Sequence, residues 1–192
     1  KKKKKFILSP HGGPHSNYVN SYLRDYVFFA LCGYSIILSN YRGSTGYPIE
    51  VQRSLPGKCG EQDVEDMVQI IKQVRDRFSI EKLGIYGHSH GGYLSSQIAG
   101  QHPELVDFVV ASAPVTNFVS SYYSCDIPDW ALYESGVTDK CDGEYEMDEE
   151  AFHKMWMASS VRFAKNAKVP LLLVHGRTDR RVSMGQSVDF YL

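Results

Sequence analysis

The stretch Leu83-Gly84-Ile85-Tyr86-Gly87-His88-Ser89-His90-Gly91-Gly92-Tyr93 constrains this chain more than any other. A short apolar run leads straight into a turn whose serine is flanked two residues away by Gly87 and Gly91. A helix-compatible segment with Leu94, Ile98 and Ala99 follows. In the pattern G-x-S-x-G the serine occupies a sharp, crowded strand-to-helix turn. Its neighbours two positions away must be nearly free of side chain, and Gly92 lets the next helix pack closely. Such a turn lifts the Ser89 hydroxyl above a sheet edge. It also aims the positive end of the helix, and the His90 backbone N–H, at any oxyanion formed there. The pattern alone is also met in ordinary βα loops. The apolar run that ends on it and the helix after it give it weight as a nucleophile elbow.

The residues before the elbow alternate between strand and helix signals. Lys5–Ser9 predicts a short strand stopped at Pro10, and His11-Gly12-Gly13-Pro14-His15-Ser16 follows. Two glycines there leave backbone N–H groups open to close approach by a ligand. A glycine loop placed in this way supplies the second oxyanion donor beside an elbow. Gly13 N–H is the candidate, paired with His90 N–H, while His11 and His15 read as braces of the loop. Tyr18–Leu31 predicts a helix stopped at Gly33. Tyr34–Leu38 predicts a buried strand, and Asn40–Tyr47 a loop at the same sheet edge as the elbow. Tyr41 and Arg42 either line the rim of a site or brace that loop. Val64, Met67, Val68, Ile71, Val74 and Phe78 share one face, so Glu61–Phe78 predicts an amphipathic helix. Asp63, Glu65 and Asp66 suit the dipole of its first turns and read as structural.

After the elbow helix, which runs to between Gly100 and Pro103, Phe108–Ala111 predicts another strand. The repeated strand-helix-strand order implies an α/β fold of the α/β-hydrolase kind: a mostly parallel sheet with right-handed crossovers and helices on both faces. Val115–Ser160 breaks the rhythm. A connection of that length is usually functional, and we read it as helices and loops walling a substrate pocket. Its acidic run from Asp142 to Glu150 reads as a solvated face, and Met155-Trp156-Met157 as packing. Val169–Val174 predicts the last strand, ending in His175-Gly176-Arg177-Thr178-Asp179-Arg180-Arg181-Val182. An acid just past this strand fits the second member of a triad in the order Ser, Asp/Glu, His. Asp179 would orient an imidazole and stabilise its positive form; the alternative is a loop aspartate capping a helix that begins near Ser183.

The totals exclude several function classes. The 192 residues suffice for one domain with a sizeable core. Lys plus Arg is 21 and Asp plus Glu is 22, so nothing in the charge calls for nucleic acid or an anionic membrane as partner. Cys32, Cys59, Cys125 and Cys141 form no C-x-x-C pair, which argues against zinc and redox motifs and suits reduced thiols. No apolar run reaches the length of a membrane span. Lys1–Lys5 reads as a solvated connector into the first strand and not as a leader.

All seven histidines, His11, His15, His88, His90, His102, His153 and His175, precede Asp179, so the expected third triad member is not among them. The chain reads as the middle of a hydrolase domain, starting inside a third strand and truncated at both ends. Without a general base a serine hydroxyl is a poor nucleophile near neutral pH. A catalytically inactive hydrolase fold is therefore one reading of these 192 residues.

The separated motifs His11-Gly-Gly-Pro14, Tyr41-Arg-Gly-Ser-Thr-Gly46, Gly87-His-Ser-His-Gly-Gly92 and His175-Gly-Arg-Thr-Asp-Arg-Arg-Val182 resemble the catalytic domain of prolyl oligopeptidase-type serine peptidases. His15-Ser16 and Asp126-Ile-Pro-Asp-Trp130 resemble the acylaminoacyl-peptidase (acylpeptide hydrolase) branch. The resemblance implies a cytoplasmic exopeptidase that removes an N-acylated amino acid from short acylated peptides through an acyl-enzyme on Ser89. It implies no metal and no cofactor, a β-propeller before the peptidase domain that is absent from these residues, and a homo-oligomer. A dipeptidyl-peptidase or esterase of the same fold is the alternative. The neutral inventory of pocket candidates speaks against a free amino terminus as ligand.

Overall fold

A computed structural model of the chain describes residues 3–138, 145 and 147–192. Lys1, Lys2, Cys141 and positions 142–144 and 146 of the acidic run lie outside them. Among the described residues five strands form one sheet: β1 (Lys4–Pro10), β2 (Tyr34–Ser39), β3 (Ile80–His88), β4 (Phe108–Ser112) and β5 (Leu171–Val174). Their order is β2-β1-β3-β4-β5, and every neighbouring pair is parallel. The register sets Ile37, Leu8, Ile85, Val109 and Leu171 in one row across the sheet.

Parallel neighbours need long crossovers. They are α1 (Arg24–Leu31), then α2 (Ile49–Arg53) with α3 (Gln62–Arg77), and α4 (His90–Gln101) between β3 and β4. Between β4 and β5 run α5 (Phe118–Ser124), α6 (Pro128–Glu134) and α7 (Glu149–Ala158), and α8 (Gly185–Tyr191) follows β5. Successive strand residues face opposite ways. On one face Leu8, Leu83, Ile85 and Val109 join Val64, Met67, Ile71, Leu94 and Ile98 of α3 and α4 in the main core. On the other, Tyr86 meets the rings of Tyr26 and Phe29 from α1, with centroids 6.3 and 5.4 Å apart. Helices therefore cover both faces of an all-parallel sheet, the expected α/β-hydrolase arrangement.

Several expected elements change. The first helix begins at Arg24 and not at Tyr18. Tyr18 is tied sideways to Asn40: its N–H donates to Oδ1 at 2.8 Å and its carbonyl accepts from Nδ2 at 3.2 Å. Those bonds take the place of the first turn of a helix. The short α2 had no periodic signal. Of Met155-Trp156-Met157 only Met155 is core; Trp156 and Met157 are exposed.

The strand order places a site. The chain moves from β1 outward to β2, then returns past β1 to β3 and on to β4 and β5. The order reverses between β1 and β3. Ligands of open parallel sheets bind beyond the carboxyl ends of the strands at such a switch point. The two loops that leave from there are His11–Ser16 and the elbow.

Candidate active site

Ser89 stands between β3 and α4 with φ 57° and ψ −122°. A side-chain-bearing residue at positive φ is strained, and the surroundings over-determine it. The Ser89 N–H donates to Ser112 O at 2.9 Å, tying the elbow to the end of β4. A Cβ on Gly87 would collide with the Gly91 backbone, and one on Gly91 with the Pro10 carbonyl. A Cβ on Gly92 would stand 2.7 Å from Ser112 O and 3.0 Å from Pro114 Cα. The three glycines thus press the helix onto the ends of three strands.

The glycine loop runs directly past the serine. A Cβ at Gly12 would lie 3.3 Å from Ser89 Cβ and 3.8 Å from its Oγ. Gly13 has φ 131°, a conformation that a side chain would strain. Among the described residues neither Gly13 N–H nor His90 N–H donates a hydrogen bond, so both expected oxyanion amides are unspent. His11 is buried; its Nδ1 and Nε2 lie 2.7 and 2.8 Å from Gly12 O and Ser44 Oγ. Burial holds its pKa below the ordinary value. Tyr41, also buried, donates its hydroxyl to His11 O at 2.8 Å and stacks on the His11 ring. Arg42 grips Asp66 through Nε at 3.0 and 3.1 Å and Glu65 through a terminal nitrogen at 2.8 Å, which raises its pKa. Tyr41 and Arg42 are therefore braces and not rim residues. His15 Nδ1 contacts Gly43 O at 2.8 Å, binding the same two loops together.

Ser89 and Gly13 open into a cavity of about 250 Å³ walled by Val115, Ser121, Cys125, Ile127 and Trp130, with Arg181 and Val182 at its other side. Most of that wall comes from the long connection after β4. Trp130 stacks on the buried Phe118 with centroids 5.2 Å apart. Arg181 pairs with Asp126 at 2.6 Å and holds that carboxyl below its usual range. Burial pushes the Cys125 thiol up, so it stays protonated. Among the described residues no carboxylate lines the cavity.

Asp179 follows β5. Its Oδ1 accepts from the N–H groups of Arg181 and Val182, both at 2.9 Å, which closes the turn that puts those two residues on the cavity wall. No histidine among the described residues is hydrogen-bonded to Ser89 or Asp179. His175 spends its nitrogens on Ser187 Oγ and Val182 O, each at 2.7 Å. His88 Nδ1 lies 3.1 Å from Ser112 Oγ. His90 is fully buried with Nε2 3.0 Å from Asp63 Oδ2. Neither flanking ring is hydrogen-bonded to Ser89.

Sequence reasoning missed the partners of His90 and His15, Asp63 and Glu134; charges from distant segments carry no local signal. Cys59, Asp63 and His90 lie close enough to suggest a metal site, with donor atoms within 4.8 Å of one another. Asp63 is already engaged, its Oδ1 taking two backbone N–H groups and its Oδ2 facing His90 Nε2, and Cys59 donates to Glu134 Oε2, while His90 Nδ1 has no hydrogen-bond partner among the described residues.

An all-parallel sheet with a serine elbow at its switch point defines the α/β-hydrolase class. Within it, the model of the prolyl oligopeptidase family matches residues 20–191, and the chain belongs to that family. It is 36% identical over 187 residues to the acylamino-acid-releasing enzyme of Mus musculus and 37% identical to that of Homo sapiens. In each case 96% of this chain and 25% of the relative are covered, so the chain spans about a quarter of their length. The acylaminoacyl peptidase of Pyrococcus horikoshii superposes with a TM-score of 0.85 at 28% identity, covering 99% of this chain and 30% of that one.

Proposed function

We propose that these residues form the nucleophile-bearing part of a serine exopeptidase that releases an N-acylated amino acid from short acylated peptides. Ser89 Oγ attacks the carbonyl carbon of the acylated residue. The Gly13 and His90 amides receive the oxyanion. The shortened peptide leaves with its new amino terminus, and water hydrolyses the acyl-enzyme. Asp179 orients the imidazole that takes and returns the proton. The reading assigns that imidazole to a histidine beyond residue 192, since no histidine within the chain reaches either partner.

The observation that carries the reading is the strained Ser89 beside two unspent amides at the mouth of a cavity that no carboxylate among the described residues lines. A free amino terminus is a cation and needs an acid to receive it. An acylated terminus is neutral and suits walls of Val115, Ile127, Trp130 and Val182. This favours acylated substrates over the dipeptidyl-peptidase alternative, in line with the names of the relatives. The remaining parts of the reading, a β-propeller before this domain, a homo-oligomer and a cytoplasmic setting, rest on the family likeness. No described helix is long and apolar enough to cross a membrane.

The test compares residues 1–192 with a version extended through the next downstream histidine. Each is treated with a fluorophosphonate and assayed on N-acetyl-alanyl and unblocked alanyl-alanyl chromogenic amides. Labelling at Ser89 and turnover of the acetylated amide by the extended form are expected. Preference for the unblocked amide would move the reading to a dipeptidyl-type enzyme. No reaction in either form would remove Ser89 as a nucleophile and leave the inactive hydrolase fold.

A further inference from the structure

A chain of ionisable side chains, buried except for the partly exposed His15 at one end, lies behind the site and takes no part in the chemistry above. It begins at His90, whose Nε2 meets Asp63 Oδ2 at 3.0 Å with both side chains fully buried. Asp63 Oδ1 accepts from Gly60 N at 2.8 Å and Val64 N at 3.0 Å, so the carboxylate is fixed at the start of α3. Cys59 packs beside this pair and donates its thiol to Glu134 Oε2 at 3.6 Å. Burial and the two neighbouring carboxylates keep that thiol protonated. The Glu134 side chain is 1% exposed, and its Oε1 lies 3.1 Å from His15 Nε2.

The two ends of this chain are informative. His90 carries one candidate oxyanion amide. His15 stands two residues after Gly13, which carries the other. A buried carboxylate–imidazole contact is a poor source of stability, because well-packed apolar residues do as well or better. It is a good source of fixed geometry. The His90 ring is clamped by Asp63 and by the rings of Tyr41 and Tyr93, with centroids 5.8 and 4.9 Å away. His15 is held by Gly43 O on one side and stands against Glu134 on the other, its Nε2 3.1 Å from Oε1 without an aligned hydrogen bond.

The geometry points to Asp63 and Glu134 as positioning residues which, through His90 and His15 and joined across Cys59, hold the two halves of the oxyanion hole in register. This rests on the reading of Gly13 and His90 as oxyanion donors. Neither carboxylate touches substrate. Each sets where an amide stands, and oxyanion stabilisation requires donors already in place.

The experiment uses the longer protein that contains this chain, as wild type, Asp63→Asn, Glu134→Gln and the double variant. Both substitutions keep shape and one acceptor oxygen. Amide hydrogen exchange is followed in peptides spanning 9–17 and 88–95, alongside kcat and KM on an N-acetyl-alanyl amide. Faster exchange is expected in 88–95 for Asp63→Asn and in 9–17 for Glu134→Gln. A kcat loss of about 10- to 100-fold is expected with KM held within about 2-fold, below the loss seen when an oxyanion donor is deleted outright. The double variant should lose less than the product of the two single losses, because the groups act as one network. Unchanged exchange in both segments, or a rise in KM at constant kcat, would overturn the proposal. Strictly multiplicative losses would overturn the link across Cys59. Should a carboxylate variant not melt cooperatively, Cys59→Ala takes its place: a several-fold kcat loss supports the link and an unchanged kcat refutes it. A wild type without turnover sinks the function proposed above, and exchange still decides the positioning role.

Discussion

Gly87 and Gly91 face each other across the elbow so closely that a Cβ on the first would overlap the carbonyl group of the second. The contact is backbone to backbone, with no flexible side chain to move aside. Gly87→Ala should therefore destabilise the fold by about 3 kcal/mol or more, the upper end for forcing atoms into a packed site. Gly33→Ala is the control for crowding, because nothing lies within 4 Å of the place its Cβ would take. Gly33 has φ 89°, so that control isolates backbone strain alone. Denaturant unfolding of both variants tests this. Equal losses would mean that the elbow tolerates the overlap by shifting.

Ser89 is held at φ 57°, where a side chain is unwelcome. Ser89→Ala and Ser89→Gly should both abolish turnover. They should differ in stability: glycine relieves the backbone strain, offset in part by its greater freedom when unfolded. Ser89→Gly is expected to be about 1 kcal/mol more stable than Ser89→Ala. Thermal melts of the two variants decide it. Substantial activity in either would remove Ser89 from the chemistry.

Asp179 has two separable tasks. Its Oδ1 closes the turn through Arg181 N and Val182 N, and its charge is proposed to orient an imidazole. Asparagine keeps the acceptor and loses the charge. Asp179→Asn should melt close to wild type while turnover falls on the order of 10³- to 10⁴-fold, as expected for a mis-oriented base. Asp179→Ala should lose the turn as well, at a cost of about 1 kcal/mol. Full activity in Asp179→Asn would leave Asp179 with the turn alone.

These residues show how much was legible in the sequence. The elbow could be read because its constraint is local: glycines at fixed offsets, an apolar strand before and a helix after. The same holds for the amphipathic face of α3, whose apolar residues repeat at helical spacing. The segment before Arg24 was misread as helix because its apolar residues mimic that spacing, whereas tertiary bonds from Asn40 decide its backbone. Asp63 was legible only as an acid in a first turn. Its pairing with His90, 27 residues away, depends on how α3 and α4 cross beneath the elbow. Glu134 gave no signal at all, because α6 reaches His15 only once the long connection after β4 has folded over the site.

The His15–Glu134 pair makes stability depend on pH. Glu134 raises the His15 pKa above its ordinary 6.5, outweighing the opposing effect of burial. A histidine with a raised folded pKa binds more protons when folded than when unfolded. Its contribution is fully present below about pH 6.5 and is lost as pH rises through the folded value. Glu134→Gln removes that contribution. The stability gap between wild type and Glu134→Gln should thus be widest near pH 5.5 and narrow as pH rises past the His15 titration. His11, whose pKa burial lowers, has the opposite slope but is common to both proteins and drops out of the difference. Urea unfolding of both proteins at half-unit steps from pH 5.5 to 8.5 measures the gap. A gap that is flat, or that widens with pH, would mean that His15 is not held in its charged form by Glu134.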